Sequence, residues 1–181
     1  IEALGVDMLT LSAHKLGGPK GIGAIVFRTG ALELADKLLR GGGQERGWRA
    51  GTENLPGVLA MVAALEAGNA WLDEAAHLRK RLEDQLLESG CEVVAAASPR
   101  LPTIGAYRMP GRSANAQLIR FDGMGIAVSA GSACSSGSLK ASHVLSAMGV
   151  EGAGEVIRVS IGRETSAQEI DAFVAAWRSI A

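Results

Sequence analysis

Residues 7 to 27, DMLTLSAHKLGGPKGIGAIVF, contain the pattern that decides the fold of the first part of the chain. Residues 7–13 form a short β-rich run that ends at the polar pair His14 and Lys15. The glycines and the proline that follow forbid a regular element. Residues 22–27 then have the composition of a second buried strand. We therefore predict a hairpin at the start of the chain.

The rest of the chain alternates helical and extended patterns. From Glu53 to about Glu88, apolar residues at three- and four-residue spacing predict helix, with a break near Gly68 and Asn69. After Gly90 the alternation indicates a separate layered domain of strands and helices. Strands are predicted at 91–96, 104–107, 126–129 and 156–161, and helices at 114–122, at 142–148 and from the capping box of Ser166 and Glu169 onward.

Composition limits the class of protein. A net charge of -1 gives no basis for a nucleic-acid or anionic-membrane partner. No apolar run approaches the ~18 residues that a membrane-spanning helix needs, so no membrane is expected. Two cysteines are too few for a disulfide framework, which favours a reducing cytoplasm. Because the chain opens with Ile1 rather than Met, we interpret it as an internal part of a longer protein.

Lys15 is the first candidate for chemistry. A lysine at the end of a buried strand is poorly solvated, and desolvation lowers the pKa of its ammonium group. The neutral amine can then form a Schiff base with an aldehyde cofactor. Ser12 and His14 stand beside it and suit a phosphate or an aromatic ring. The alternative is a strand end with an exposed lysine and a surface histidine.

The loop GGGQERGWRAGT, residues 41–52, is dense in glycine and arginine. Glycines bring backbone N–H groups close to an anion, and Arg46 and Arg49 could add positive charge. Thr52 precedes a predicted helix and is also a plausible N-cap. The alternative is a flexible surface loop with a capping threonine.

Cys134 lies in SAGSACSSGS, residues 129–138, where all the remaining residues are Ser, Ala or Gly. Such a segment is typical of an accessible loop, in which a thiol reacts if its pKa is lowered. The alternative is an incidental small residue in a linker. Cys91 follows a glycine and opens a strand, so we predict a structural role for it.

Arg158 lies within the apolar strand VIRVS, residues 156–160. Alternation points it to the opposite face from Ile157 and Val159. It needs a partner there, which a substrate carboxylate bound by two hydrogen bonds would supply. The alternative is an edge-strand arginine paired with a surface acid. The histidines on helical stretches have no spaced partners, so no metal site is predicted.

Four ordered segments together resemble a known family. They are SAHKLGGPKGIGAIVF, GGGQERGWRAGTENLPG, VSAGSACSSGSLKASHVLSAMG and IRVSIGRETSAQEID. They resemble the class V, fold-type I pyridoxal-phosphate enzymes, and within them the cysteine desulfurases of the NifS/IscS group. The resemblance implies an α/β fold that is the C-terminal part of a PLP-dependent transferase. Residues 1–89 would belong to the large cofactor-binding domain, and residues 90–181 would form a small α+β domain that carries the cysteine loop.

The resemblance also implies the cofactor site. Lys15 would hold pyridoxal 5′-phosphate as a Schiff base, and Ser12 and His14 would contact its phosphate. Thr52 would reach the phosphate of the neighbouring subunit, which implies a homodimer with shared active sites. The parts of the family's large domain that precede these motifs are missing, so the chain is expected to be inactive alone.

The implied reaction converts L-cysteine to L-alanine. Arg158 would bind the substrate carboxylate and Cys134 would take up the sulfur as a persulfide. The sulfur would then pass to a scaffold or acceptor protein, for iron–sulfur cluster assembly or other sulfur trafficking. Two alternatives stay open: another class V enzyme, such as a selenocysteine lyase or an aminotransferase, and a non-catalytic sulfur-carrier or scaffold domain.

Overall fold

The computed structural model of the protein describes residues 1–29, 36–37, 39–131 and 142–181. Contacts divide the chain into two compact units, Ile1–Ala70 and Trp71–Ala181. The sequence predicts a domain boundary after residue 89. The helix at Leu72–Leu87 packs against the C-terminal helix and therefore belongs to the second unit. The domain boundary of the longer protein stays a prediction.

The first unit contains the predicted hairpin. Strand β1, Met8–Ser12, pairs antiparallel with β2, Gly23–Phe27. A 3-10 turn, Ala13–Lys15, follows β1 directly. Helix α1, Leu55–Ala67, ends the unit. The hairpin and the first predicted helix are thus confirmed.

The expectation that the hairpin strands are buried is wrong for the described residues. Met8 is 48% exposed, Ile25 57% and Val26 38%. The two strands form a sheet of their own, with no third strand beside either of them among the described residues. A two-stranded ribbon cannot bury its own faces, because burial needs a further layer packed on it.

The second unit is a four-stranded antiparallel sheet with helices. The strands follow the order β3-β4-β6-β5. The elements are α2 at Leu72–Leu87, β3 at Glu92–Val93, β4 at Ile104–Arg108, α3 at Ala114–Gly123, β5 at Ser129–Ala130, α4 at His143–Ala147, β6 at Val156–Ser160 and α5 at Ala167–Ile180.

Two predicted strands are shorter than expected. Ala95 has a left-handed φ of 55°, which turns the chain out of the sheet after β3. The strand predicted at 126–129 begins only at Ser129. Ile126 and Val128 pack against the core without pairing to a neighbouring strand, so their apolar character records burial rather than strand structure.

The core of the second unit is aromatic. The rings of Phe121 and Phe173 stack with centroids 5.0 Å apart, and Trp177 lies 6.1 Å from Phe173. Truncating a buried aromatic side chain of this kind to alanine typically costs about 3–5 kcal/mol. Helix α5 places Phe173 and Trp177 on this core and starts at the predicted capping box, in which Ser166 and Glu169 bond each other's backbone.

Neither a single membrane-spanning helix nor a metal-binding cluster is present in the part of the chain that the structure describes. No single helix there is long and apolar enough to cross a membrane, and α1 and α2 meet the length and composition only when counted together. No group of three or more His, Cys, Asp or Glu side chains is placed there to hold a metal ion.

Candidate active site

Lys15 is held at the end of a tightly bonded turn. The N–H of Ala13 donates to the carbonyl of Ile22 at 3.1 Å. The carbonyl of Ala13 accepts from the N–H groups of Leu16 at 3.0 Å and Gly18 at 2.8 Å. Because Ala13 is fully buried and bonded on both sides, the backbone that carries Lys15 has one defined course.

Close backbone approaches explain two glycines around this turn. A Cβ on Gly18 would lie 3.0 Å from the Cβ of Ala13. A Cβ on Gly23 would lie within 2.4 Å of the carbonyl oxygen of Leu11. Gly23 therefore has no room for a side chain, and at Gly18 a side chain would be crowded against Ala13.

Ser12 and His14 are brought together beside Lys15. The Ser12 hydroxyl and His14 Nδ1 are 3.2 Å apart and share a hydrogen bond. Lys15 is exposed, so the expectation of a poorly solvated lysine is wrong in this structure. Lys15 follows a strand whose sheet has only two strands among the described residues.

Thr52 lies at the end of a loop whose two ends are joined by a hydrogen bond. The N–H of Ala50 donates to the carbonyl of Leu39 at 3.2 Å, which joins the two ends of the glycine-rich segment. The N-cap interpretation of Thr52 is wrong, because Asn54 caps α1 by accepting the N–H of Gly57 at 3.1 Å. The Thr52 side chain is exposed and has no role in starting the helix.

The contacts of Arg49 could not be predicted from the sequence. Its Nη1 donates to the carbonyls of Ala50 at 3.2 Å and Gly51 at 2.9 Å, and its Nη2 to Glu45 Oε1 at 3.3 Å. We expected Arg49 to offer its charge to an anion, whereas its guanidinium bonds its own loop. The only signal in the sequence is the four-residue spacing of Glu45 and Arg49, which is common in unrelated segments.

The same loop contains two residues with strained backbone angles and a tryptophan that packs on β2. Glu45 and Arg46 have left-handed φ values of 49° and 56°. Such conformations cost non-glycine residues of the order of 1 kcal/mol or more and persist only where surrounding contacts hold them. Trp48 supplies one such contact, with its ring edge-on to Phe27 of β2 at 5.0 Å.

Arg158 lies on an interior strand. It pairs with Ala106 of β4 on one side and Ser129 of β5 on the other. Ile157 and Val159 are buried on the opposite face, as alternation predicts. The edge-strand alternative is therefore wrong. Its Nε is buried and has no hydrogen-bond partner, and no ion pair of Arg158 with an acid is formed among the described residues.

The two cysteines differ in what the structure describes. Cys134 lies outside the described residues, which stop at Gly131 after β5 and resume at Ser142 before α4. Cys91 is buried, as a structural residue should be. Burial, and then the negative charges of Glu83 and Glu92, raises the pKa of the Cys91 thiol to about 12. It is therefore a thiol, and a poor nucleophile, at neutral pH.

The sequence matches the family described as aminotransferase class-V over residues 1–173. The chain belongs to the class-V aminotransferase family. A cysteine desulfurase from Klebsiella pneumoniae is 44% identical over 94% of this chain, and one from Bradyrhizobium diazoefficiens is 43% identical over 97%. The solved structure of a NifS-like protein superposes with a TM-score of 0.83 over 99% of the chain, at 33% identity.

These matches confirm the resemblance and the α/β fold class of this class-V chain. The chain spans 44% and 46% of the length of the two curated relatives and 47% of the NifS-like structure. Class-V aminotransferases and cysteine desulfurases are pyridoxal-phosphate enzymes. The groups at the end of β1 suit that cofactor: a primary amine for its aldehyde, with a hydroxyl and an imidazole as donors for its phosphate.

Proposed function

We propose that the complete protein that carries this sequence is a cysteine desulfurase. It converts L-cysteine to L-alanine and stores the sulfur as a persulfide on Cys134. The observation that carries the proposal is the grouping of Ser12, His14 and Lys15 at one bonded turn. Its occurrence in a chain that is 43% and 44% identical to cysteine desulfurases supports the choice of reaction.

Three residues at the end of β1 would hold pyridoxal 5′-phosphate. Lys15 Nζ would bind its aldehyde, and the Ser12 hydroxyl and the His14 imidazole would donate hydrogen bonds to its phosphate. When bound, the cofactor would supply a ring that accepts the electron pair released when the Cα–H bond of the substrate breaks. The amine of Lys15 would take up the proton.

Arg158 orients the substrate. Its Nε is buried without a partner among the described residues, and a carboxylate oxygen would supply that partner. The strand beneath it is hydrogen-bonded on both sides, so the guanidinium stands on a rigid base. A two-point bond to the carboxylate would fix the direction of the cysteine side chain relative to Cys134.

Cys134 carries out the sulfur transfer. Its thiolate would attack the substrate sulfur, so that an S–S bond forms and the C–S bond breaks. The electron pair of the broken bond stays on the substrate carbon, which takes up a proton and becomes the alanine methyl group. Cys134 follows Ser129, the β5 partner of Arg158, by five positions. Five residues of extended chain span at most about 18 Å, and this short separation in sequence supports the proposed role of Cys134.

The proposal includes a homodimer in which Thr52 of one subunit contacts the cofactor phosphate of the other. It also includes a cytoplasmic location and an acceptor or scaffold protein that takes the persulfide sulfur. The domain assignment, residues 1–89 with the cofactor domain and 90–181 with the cysteine loop, belongs to the same proposal. The exposed Thr52 side chain supports the shared site, because its hydroxyl is not used in capping α1.

Borohydride reduction of the cofactor-loaded complete protein tests the proposal. Reduction followed by peptide mapping should place the pyridoxyl label on Lys15. The Lys15→Ala variant should take no label, whereas Lys20→Ala, five positions further on in the same turn, should be labelled normally. A label on any other lysine would reject the assignment.

The Cys134→Ala variant separates a desulfurase from the other classes. It should keep the cofactor absorbance and lose sulfur release, while Cys91→Ala should keep both. Unchanged activity in Cys134→Ala would reject the desulfurase and favour another class-V reaction. Persulfide acceptance by a protein that binds no cofactor would instead favour a sulfur carrier.

A further inference from the structure

We propose that Arg49 is a positioning residue for the cofactor phosphate. Its guanidinium fixes the peptide groups before Thr52, so that the N–H groups of Gly51 and Thr52 and the Thr52 hydroxyl can meet one anion. This inference rests on the proposed function, in which Thr52 contacts the phosphate.

The geometry starts from two carbonyl groups. Arg49 Nη1 donates to the carbonyl oxygens of Ala50, at 3.2 Å, and Gly51, at 2.9 Å. In a planar trans peptide the C=O of one residue and the N–H of the next point in opposite directions. The N–H groups of Gly51 and Thr52 are therefore turned away from the guanidinium. Arg49 therefore bonds the carbonyl side of these two peptides, and the N–H groups of Gly51 and Thr52 lie on the opposite side.

These donors are not used elsewhere. Neither the N–H of Gly51 nor that of Thr52 donates a hydrogen bond within the part of the chain that the structure describes. The Thr52 hydroxyl does not cap α1, because Asn54 does so. Gly51 has a φ of 97°, a conformation open to glycine but strained for other residues. Successive backbone N–H groups of this kind form favourable sites for anions.

Arg49 is itself held in place. Glu45 Oε1 accepts from its Nη2 at 3.3 Å, and Trp48, the preceding residue, is anchored on Phe27. The carboxylate of Glu45 lies beside the guanidinium and reduces the attraction of Arg49 for a distant anion. The contribution of Arg49 is orientation, which a lysine cannot reproduce, because one ammonium group lacks the planar fork that serves Glu45 and both carbonyls.

The test compares two ligands that differ only in the phosphate. The apo form of the complete protein is titrated with pyridoxal 5′-phosphate and with pyridoxal, and binding is followed by cofactor absorbance. The variants are Arg49→Gln, Arg49→Lys and Thr52→Ala. Arg40→Gln is the matched control, because among the described residues Arg40 bonds only the exposed carboxylate of Asp36, at 2.8 and 2.7 Å.

We expect Arg49→Gln and Arg49→Lys to weaken pyridoxal 5′-phosphate binding about tenfold, the effect of losing one charge-assisted hydrogen bond, and to leave pyridoxal binding unchanged. Arg40→Gln should change neither. The double variant with Thr52→Ala should lose less than the product of the two single losses, because both act on the same contact. Glu45→Gln should give a smaller, phosphate-specific loss and serves if the Arg49 variants do not fold.

Four results would overturn the inference. Equal weakening of both ligands would mean that Arg49 acts only on the stability of the loop. Full affinity in Arg49→Lys would mean that charge alone is sufficient. If Thr52→Ala weakens phosphate binding while the Arg49 and Glu45 variants do not, the Arg49 role fails and the proposed function stands. If Thr52→Ala itself has no effect, the shared phosphate site fails as well.

Discussion

Two arginines of the second unit show how differently one residue type can be used. Arg100 donates to both carboxylate oxygens of Glu83, at 2.6 and 3.1 Å, and so has a partner for its charge. The Nε atoms of both arginines are buried without a hydrogen-bond partner, but Arg158 forms no ion pair among the described residues. An unpaired buried donor costs about 1–3 kcal/mol of folding free energy. We infer that Arg158 is retained for binding rather than for stability.

The Arg158→Met variant should separate these two roles. Removing the unpaired donor should raise the free energy of unfolding of the substrate-free complete protein by about 1 kcal/mol. The same change should raise KM for cysteine, since the carboxylate loses its charged partner. Urea unfolding and steady-state kinetics measure the two effects. Arg120→Met, at an exposed arginine of α3, is the control for surface charge. A variant with lowered stability and unchanged KM would contradict this reading of Arg158.

At the scale of elements, two neighbouring residues before α1 have different roles: Asn54 caps the helix, and Thr52 is proposed to bind the phosphate. Asn54→Ala should lower the free energy of unfolding of the complete protein by about 1 kcal/mol, because the N–H of Gly57 loses its acceptor. Thr52→Ala should change stability by less than about 0.5 kcal/mol, since its side chain caps nothing. Denaturant titration measures both variants. Equal losses in the two would mean that both residues support the helix.

The capping box of α5 makes stability depend on pH. The N–H and hydroxyl of Ser166 lower the pKa of Glu169 below its usual value of 4.5. A carboxylate with a depressed folded-state pKa stabilises the protein above its unfolded-state pKa, and the contribution disappears as the pH falls through the folded value. Glu169→Gln should therefore lower the thermal midpoint at neutral pH and remove part of its decrease below pH 4.5. An unchanged acid slope in the variant would contradict this assignment.

The elements were more predictable than their surroundings. Local pattern was sufficient for the hairpin, for α3 and for the capping box of α5, because each depends on residues within one turn or one strand pair. Pattern could not show that β1 and β2 are exposed, since burial depends on what packs against them. Asn54 and Thr52 are both residue types that cap helices, so type alone left both positions open. The hydrogen bonds of Arg49 go to backbone carbonyls, which have no signature in a sequence.

At the scale of the whole molecule, the hydrophobic core belongs to one unit. The buried core cluster of the described residues lies between Ala75 and Ile180. In the described part of the first unit, Ala13 and Met61 are the only buried hydrophobic residues. Helix α1 exposes a row of large apolar side chains, namely Leu55, Val58, Leu59, Val62 and Leu65. The two units should therefore differ in their ability to fold alone.

We expect residues 71–181, produced alone, to unfold cooperatively with heat. The buried Trp177 should give this segment a near-ultraviolet circular dichroism signal that is lost at the transition. Residues 1–70 should show neither, because they bury too little apolar surface to offset the entropy of ordering the chain. Thermal scans of the two segments check this directly. A sharp transition in residues 1–70 would show that the unit is stable without further cover.

The crowding at Gly23 limits how this turn could be re-engineered. A methyl group there would press on the Leu11 carbonyl, one residue from Ser12. A designer who wants room for a bulkier aldehyde therefore has to leave this pair of strands as it is. Additional space near Lys15 would have to come from smaller side chains at Ser12 or His14, because the backbone at Gly23 leaves no room.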